Sequence, residues 1–432
     1  MTNAIKQKAK YSGVEWVGAI PENWKTAKLK QVVSIKITDG PHETPEFLLE
    51  GVPFASAEAV FDGKINFEHI RGYISEEQDI VYSEKCKPIK NDIFIVKSGS
   101  TTGKVAVIEE DVNFNVWSPL ALVRVNKSLA YYKFVYYFLS SDSFQKQVQI
   151  FWSFGTQPNI GMNVLENLFL TLPPLATQKL ISEYLDAKSE QVKKFIDDKK
   201  KLISLLQEQK RAVIYNAVTK GTNSKVEMKS SGVDWLGDIP KDWRVLKLKH
   251  GVKLNIHKSI DHVDKNVALE NIEGWTGKLI ETDGTFEGEG NLFEKGDVLF
   301  GKLRPYLGKV YLSEYSGRCV NEILVFTPNE NILNNDYLYY LCSSSEFIKI
   351  VDSSTYGSKM PRAEWDFIGK MEVPIPKIET QKEIVNYIEK NTRKIDQAIH
   401  TVQQEIELIE EYKKSLIYQA VTGKIESLLT NE

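Results

Sequence analysis

Two lysine-rich glycine turns carry the side chains best suited to chemistry. The first, Gly99-Ser-Thr-Thr-Gly103-Lys104-Val105, has the outline of a phosphate-binding P-loop. It fails on two counts: the loop is one residue short, and Val105 stands where a magnesium-binding Ser or Thr is needed. The remaining reading is a turn between strands Ile93–Val96 and Val105–Ile108 that presents Lys97, Ser98, Ser100, Thr101, Thr102 and Lys104. The second turn, Lys302-Leu-Arg-Pro-Tyr-Leu-Gly-Lys309, is more basic and offers Lys302, Arg304, Tyr306 and Lys309. Lysine and arginine beside hydroxyl groups on a β-turn suit contacts to phosphates and base edges. An ordinary solvated turn is the competing reading.

Further candidates cluster in other loops. Gln157 and Asn159, in Gly155-Thr-Gln-Pro-Asn-Ile160, carry amides of the kind that pair bidentately with adenine, although a structural role fits them too. Asp39-Gly-Pro-His-Glu-Thr-Pro45 is rich in turn formers and holds His42 and Thr44. His257, Lys258 and Ser259 form either a phosphate-facing loop or an inert surface loop. Lys359 and Arg362 are phosphate candidates. Lys193-Lys194 and Lys199–Lys201 read as a solvated helix face or as a track for nucleic acid.

Other chemistries find no support. The six histidines lack the Cys/His spacing of a zinc site, so no metal is expected. No Asn-Pro-Pro-Tyr or Asp-Pro-Pro-Tyr tetrapeptide is present to serve amino-methyl transfer. The three scattered cysteines, Cys86, Cys319 and Cys342, argue for a reducing cytosol and against a disulfide framework. A polar, lysine-rich N-terminus and the lack of any run near ~18 apolar residues point to a cytoplasmic protein with no membrane partner. The net charge of −3 confines any nucleic-acid surface to a local patch.

The elements that must position these loops come in duplicate. Apolar residues at Leu185, Val192, Ile196, Ile203, Leu206, Val213 and Ala217 are spaced by multiples of three, four or seven, the signature of one helical seam. Adding 203 to each number gives Ile388, Ile395, Ile399, Ile406, Ile409, Leu416 and Ala420, and Val402 stands where the first run has Lys199. A lead-in segment also recurs. Of the nineteen positions from 12 to 30, eleven are identical at an offset of 219, Trp16 and Trp24 answering to Trp235 and Trp243. These tryptophans either pin the chain to the domain behind them or form a docking surface for a partner. Between lead-in and helix lie strand-rich middles that share only scattered landmarks, such as Asp92 with Asp297. Each middle closes on a proline-rich exit, with Thr177 and Thr380 as expected helix N-caps.

With 432 residues, two domains are the natural division. The expected order is a tail at 1–11, a globular domain at 12–174, a long helix at 175–222 and a linker at 223–230. A second domain at 231–375, a second helix at 376–427 and a tail at 428–432 follow. The fold class is α+β, with two mixed α/β domains separated by two long antiparallel coiled-coil helices. It is a tandem repeat with pseudo-twofold symmetry. Similar helices and lead-ins imply the same kind of partner met twice, and diverged middles imply two different things recognised.

This pattern resembles the specificity subunit of Type I restriction-modification systems, over essentially the whole chain. The lead-in Ser12-Gly…Trp16…Ile20-Pro21…Trp24, the exit Pro-Pro-Leu-x-x-Gln at 173–178, Gly155–Ile160 and Gly296-Asp-Val-Leu-Phe-Gly-Lys-Leu-Arg-Pro-Tyr306 carry the resemblance. The second copy departs from it at Ile375-Pro-Lys-Ile378 and at Gly357-Ser-Lys359, so a role cannot pass directly from Gln157 to Lys359. The resemblance implies a non-catalytic subunit. Each domain would read one half of a split double-stranded DNA site, and the helices would set the gap and dock two modification (methyltransferase) subunits. Restriction (motor–nuclease) subunits would then add. It implies no cofactor in this chain, with S-adenosylmethionine, ATP and Mg²⁺ on the partners. A helix of ~40 residues, ~60 Å long, would place the readers about one DNA turn apart. The rivals are a specificity subunit for a fused methyltransferase–endonuclease, a self-contained DNA enzyme, and a helical scaffold that binds only protein.

Overall fold

The computed structural model describes residues 8–154, 157–259, 265–280, 288–357 and 359–425. Gly155-Thr156, His262, Ser358 and the expected tail at 428–432 lie outside the described residues. The chain divides into two compact units, Met1–Asp198 with Glu405–Glu432, and Lys199–Gln404. Both long helices are continuous, Leu175–Lys220 and Ile378–Val421, and the division falls within each. No helix among the described residues is long and apolar enough to cross a membrane.

The first unit is built on β1 (Lys25–Lys28), β2 (Thr38–Asp39), β3 (Ile93–Val96), β4 (Val105–Val107), β5 (Leu120–Val123) and β6 (Phe169–Leu172). Four of these form an antiparallel sheet in the order β4-β3-β5-β2, with Val105 opposite Ile95 and Leu120 opposite Val96. The apolar runs of β3 and β5 have no polar face because both sides are covered. Ile93, Ile95, Ala121 and Val123 point into a core shared with the helices Tyr132–Ser140 and Asp142–Phe151. Phe94, Val96, Leu120 and Leu122 point into a second core on the opposite face. Burial of such side chains stabilises by roughly 1.5–3 kcal/mol each.

The second unit repeats this design with β7 (Arg244–Lys247), β8 (Val252–Asn255), β9 (Val298–Gly301), β10 (Val310–Leu312), β11 (Ile323–Pro328) and β12 (Glu372–Ile375). Its sheet runs β10-β9-β11-β8, the order of the first unit, with Val298, Phe300 and Phe326 on one face and Leu299 and Val325 on the other. The landmark aspartates explain themselves here. Asp92 Oδ2 accepts from the Ile89 N–H at 2.8 Å, and Asp297 Oδ2 accepts from the Glu294 N–H at 2.8 Å, so each closes the turn before a central strand. Burial pushes the Asp297 carboxyl above its ordinary value. The first unit alone, among the described residues, inserts a helix, Glu76–Lys85, between its β2 and β3.

Within each unit the two long helices run antiparallel. In the first, Ile181 and Leu185 share a core with Leu416, Ile417 and Ala420; in the second, Ile214, Ala217 and Val218 share one with Ile384, Val385 and Ile388. Of the seam residues expected from spacing, Leu185, Val192, Ile388, Ile395, Val402 and Leu416 are buried. Ile196, Ile203, Leu206, Val213, Ile399, Ile406 and Ile409 are half-buried.

Of the four lead-in tryptophans, two correct the expectation of a docking surface. Trp24 and Trp243 are fully enclosed, with their rings against Gly423 and Gly221 just past the ends of the long helices, so a partner cannot reach them. Trp16 and Trp235 are half-buried, edge-on to Phe151 and Phe347. The expected tail and linker are also partly ordered. Ala9–Tyr11 pairs with Ala19–Pro21, and Met228–Ser230 with Asp238–Pro240, so the repeat begins earlier than its sequence identity.

Thr177 and Thr380 are not N-caps, because the helices start two residues sooner, at Leu175 and Ile378. The neighbouring buried Gln178 and Gln381 do a different job. The Gln178 side chain accepts from the Tyr131 N–H at 2.7 Å and donates to the Pro173 C=O at 2.9 Å. Gln381 repeats this on the Asn334 N–H at 2.8 Å and the Pro376 C=O at 2.9 Å. Each glutamine ties a long helix to the domain it leaves.

Candidate nucleic-acid interface

Three of the loops singled out from sequence meet in the first unit. The turn after β3 has Gly99 and Gly103 at φ 102° and 95°, conformations that disfavour other residues. It is zipped to residues 158–160: the Gly99 N–H donates to the Pro158 C=O at 3.1 Å, and the Ile160 N–H to the Lys97 C=O at 2.8 Å. Ser98 pairs with Asn159 as an isolated β-bridge. The loop from Asp39 to Pro45 joins them through Lys97, whose ammonium lies 2.6 Å from Asp39 Oδ2.

Within this group the side chains sort by direction. Ser100, Lys104, Gln157, Asn159, His42 and Thr44 are exposed, and Ser98 and Thr101 are half-buried. Thr102 faces inward, contrary to its expected role, with its hydroxyl on the carbonyls of Gly99 at 2.8 Å and Pro158 at 3.1 Å. Lys97 is 13% exposed and is committed to Asp39. Asp39 also takes Lys85 at 2.7 Å and His42 at 3.3 Å. Burial by itself would raise the Asp39 carboxyl, but Lys85 and Lys97 hold it below its ordinary value. Lys85 was not among the sequence candidates. It sits at the end of a helix with no distinctive motif, and only the fold brings it to Asp39, 46 residues away.

The second unit assembles the equivalent loops in the same way. The Ala363 N–H donates to the Lys302 C=O at 3.0 Å and the Arg304 N–H to the Pro361 C=O at 2.8 Å, while Leu303 bridges to Arg362. Lys302 and Leu303 therefore stand where Lys97 and Ser98 stand in the first unit. Arg304, Tyr306 and Lys359 are exposed, and Arg304 Nη2 donates to the Lys359 C=O at 3.2 Å. Lys302 is half-buried. Arg362 is exposed but held by Glu322 at 3.1 Å, and Lys258 by Glu289 at 3.1 Å. His257 is exposed and Ser259 half-buried, on the segment after β8 that matches the Asp39–Pro45 loop after β2.

Lys309 is a correction. Its ammonium donates to the Leu269 C=O at 2.5 Å, and burial lowers its pKa, so it braces the turn from behind instead of offering charge. Two exposed leucines are an addition. Leu205 and Leu408, 54% and 65% exposed, occupy equivalent places on the two long helices, at the same offset of 203 as the buried seam. Their signal was present in the repeat, but they lie off the stripe used to find the core.

Two units of one sheet order each present polar side chains from a zipped pair of loops, cations, amides and hydroxyls in the first and cations with a tyrosine hydroxyl in the second. No group of three or more His, Cys, Asp or Glu side chains among the described residues is arranged to hold a metal ion. The chain belongs to the Type I restriction modification DNA specificity domain family, whose model matches residues 21–204 and 267–408. It is 25% identical over 427 residues to the Type I restriction enzyme MjaVIII specificity subunit of Methanocaldococcus jannaschii, covering 94% of each chain. It is 26% identical over 432 residues to the putative type I restriction enzyme MjaX specificity subunit of the same organism, covering 95% of each. Its fold is similar to a solved structure described under complex assembly and conformational transition of the type I R-M system. That likeness has a TM-score of 0.67 at 13% identity, covering 94% of this chain and 99% of the other.

Proposed function

We propose that this chain is the DNA-sequence-specificity subunit of a Type I restriction-modification complex, each unit reading one half of a bipartite, asymmetric site. The observation that carries the reading is the pairing of one scaffold with two different sets of loop side chains. From equivalent loops the first unit offers Ser98, Ser100, Gln157 and Asn159, and the second Arg304, Tyr306, Lys359 and Arg362. Phosphate contacts by the cations would fix register, and the amides and guanidinium would discriminate bases.

The subunit is non-catalytic in this reading and works in the cytoplasm. Two modification subunits dock on the long helices, with Leu205 and Leu408 as equivalent apolar contacts, and restriction subunits add to that assembly. S-adenosylmethionine, ATP and Mg²⁺ act on those partners, and this chain supplies the address. The purified chain given S-adenosylmethionine or Mg²⁺/ATP and target DNA should show no turnover. Single-molecule methylation sequencing of the host with and without the gene tests the whole reading. One split motif should vanish with the gene, and an unchanged methylome would refute it.

A further inference from the structure

Around Asp39 the first unit gathers more positive charge than its fold needs. One cation would neutralise the carboxylate, whose side chain is 9% exposed, yet Lys85 and Lys97 both bind it at 2.7 and 2.6 Å. Two ammonium groups less one carboxylate leave a net charge of +1 there, and His42 Nε2 stands 3.3 Å away. The excess faces outward, since the Lys85 and His42 side chains are 45% and 68% exposed. Lys85 Nζ also donates to the Gly40 C=O at 2.8 Å, so two of its three donors are fixed and one is left for a ligand. Gly40 holds the loop in place, because a Cβ there would come within 1.9 Å of the Val116 C=O.

Among its described residues the second unit has no such arrangement. Register with the neighbouring strand makes Ile256 the counterpart of Asp39, and the helix that supplies Lys85 has no counterpart among the described residues. The cluster is therefore a property of one reader and not of the shared scaffold.

We propose that Asp39 holds Lys85, Lys97 and His42 as an anchor for one DNA backbone phosphate at the first unit's half of the site. Lys85 is a DNA contact and Asp39 a positioning residue. The inference rests on the DNA-specificity reading above and deepens it.

The test uses the chain assembled with its modification subunits. Binding is read by fluorescence anisotropy over a salt series, to a duplex carrying the motif methylated in cells that express the chain and to a scrambled duplex. Lys85→Gln should weaken binding to both duplexes and lower the slope of log affinity against log salt by about 0.9, the value for one phosphate contact. The methylated motif should not change, because a phosphate contact reads no bases. Lys85→Arg should restore the slope. Asp39→Asn removes a negative charge, so bulk electrostatics predicts tighter binding to both duplexes. Positioning predicts the opposite, a several-fold loss on both duplexes. A slope left unchanged by Lys85→Gln, or motif binding tightened by Asp39→Asn, overturns the anchor. Should Asp39→Asn fail to assemble, Lys85→Gln at its half-exposed site decides alone. Lys302→Gln with Arg304→Ala separates the two levels: if that pair lowers the slope and Lys85→Gln does not, the DNA reading stands and the anchor falls. A wild-type complex with no preference for the motif duplex removes both.

Discussion

Arg304 is a non-glycine residue in left-handed backbone, with φ 50°, at the turn that presents the second unit's cations. That conformation costs an L-residue about 1–2 kcal/mol, a strain of the kind kept at functional positions. Arg304→Gly should therefore leave the melting temperature level or slightly raised while weakening DNA binding and lowering its salt slope by about 0.9. Equal losses in stability and binding would mean that the arginine is structural. Asp39 has a pH signature. Its folded pKa lies below the unfolded value, so its ion pairs contribute stability that is complete above about pH 4–5 and is lost as pH falls through the folded pKa. Asp39→Asn should lower the melting temperature at pH 7, by an amount that shrinks as the pH is taken down through the carboxylate range. At this scale the sequence was informative about residue type and mute about direction. Lys104 and Lys309 follow matching glycines, yet Lys104 is exposed while Lys309 turns inward to Leu269, 40 residues away. Only tertiary packing decides between the two.

The long helices follow from periodicity and the sheet strands from short apolar runs, and the Ile93–Val96 and Val310–Leu312 strands fall where such runs lie. The joints between elements were less legible. The exit glutamines stood in plain view as part of a motif, but their three-way clamps depend on backbone groups from distant loops. Gln178→Ala would strip the Tyr131 N–H and the Pro173 C=O of their buried partner, each loss costing about 1–3 kcal/mol. Chemical denaturation should register a loss of at least ~2 kcal/mol for this variant or for Gln381→Ala. The helix ends offer a paired comparison. Gly221 and Gly423 share a left-handed φ, 75° and 71°, but a Cβ on Gly221 would meet nothing nearer than Trp243 at 3.3 Å, whereas on Gly423 it would come within 2.4 Å of Pro21. Gly423→Ala should therefore destabilise clearly more than Gly221→Ala, as read by thermal melting. Equal shifts would mean that Pro21 does not press on that helix end.

At the scale of the whole molecule, duplication was the most readable feature, because two copies of a lead-in and a helix can be compared without any relative. What differs between the copies was visible as sequence but not as surface. The loops that carry Ser98, Asn159, Leu303 and Arg362 become equivalent only through backbone pairing. If the helices set the gap between the two half-sites, inserting four residues in both should lengthen the unspecified spacer by about two base pairs, ~6 Å of helix against ~3.4 Å per base pair. Methylome sequencing of the variant reads that spacer directly. The most direct measurement of the central claim is an exchange of residues 31–172 for the corresponding segment of another specificity subunit, followed by the same sequencing. The account predicts that one half of the methylated motif changes to that of the donor while the other half is kept. A motif left unchanged in both halves would contradict it.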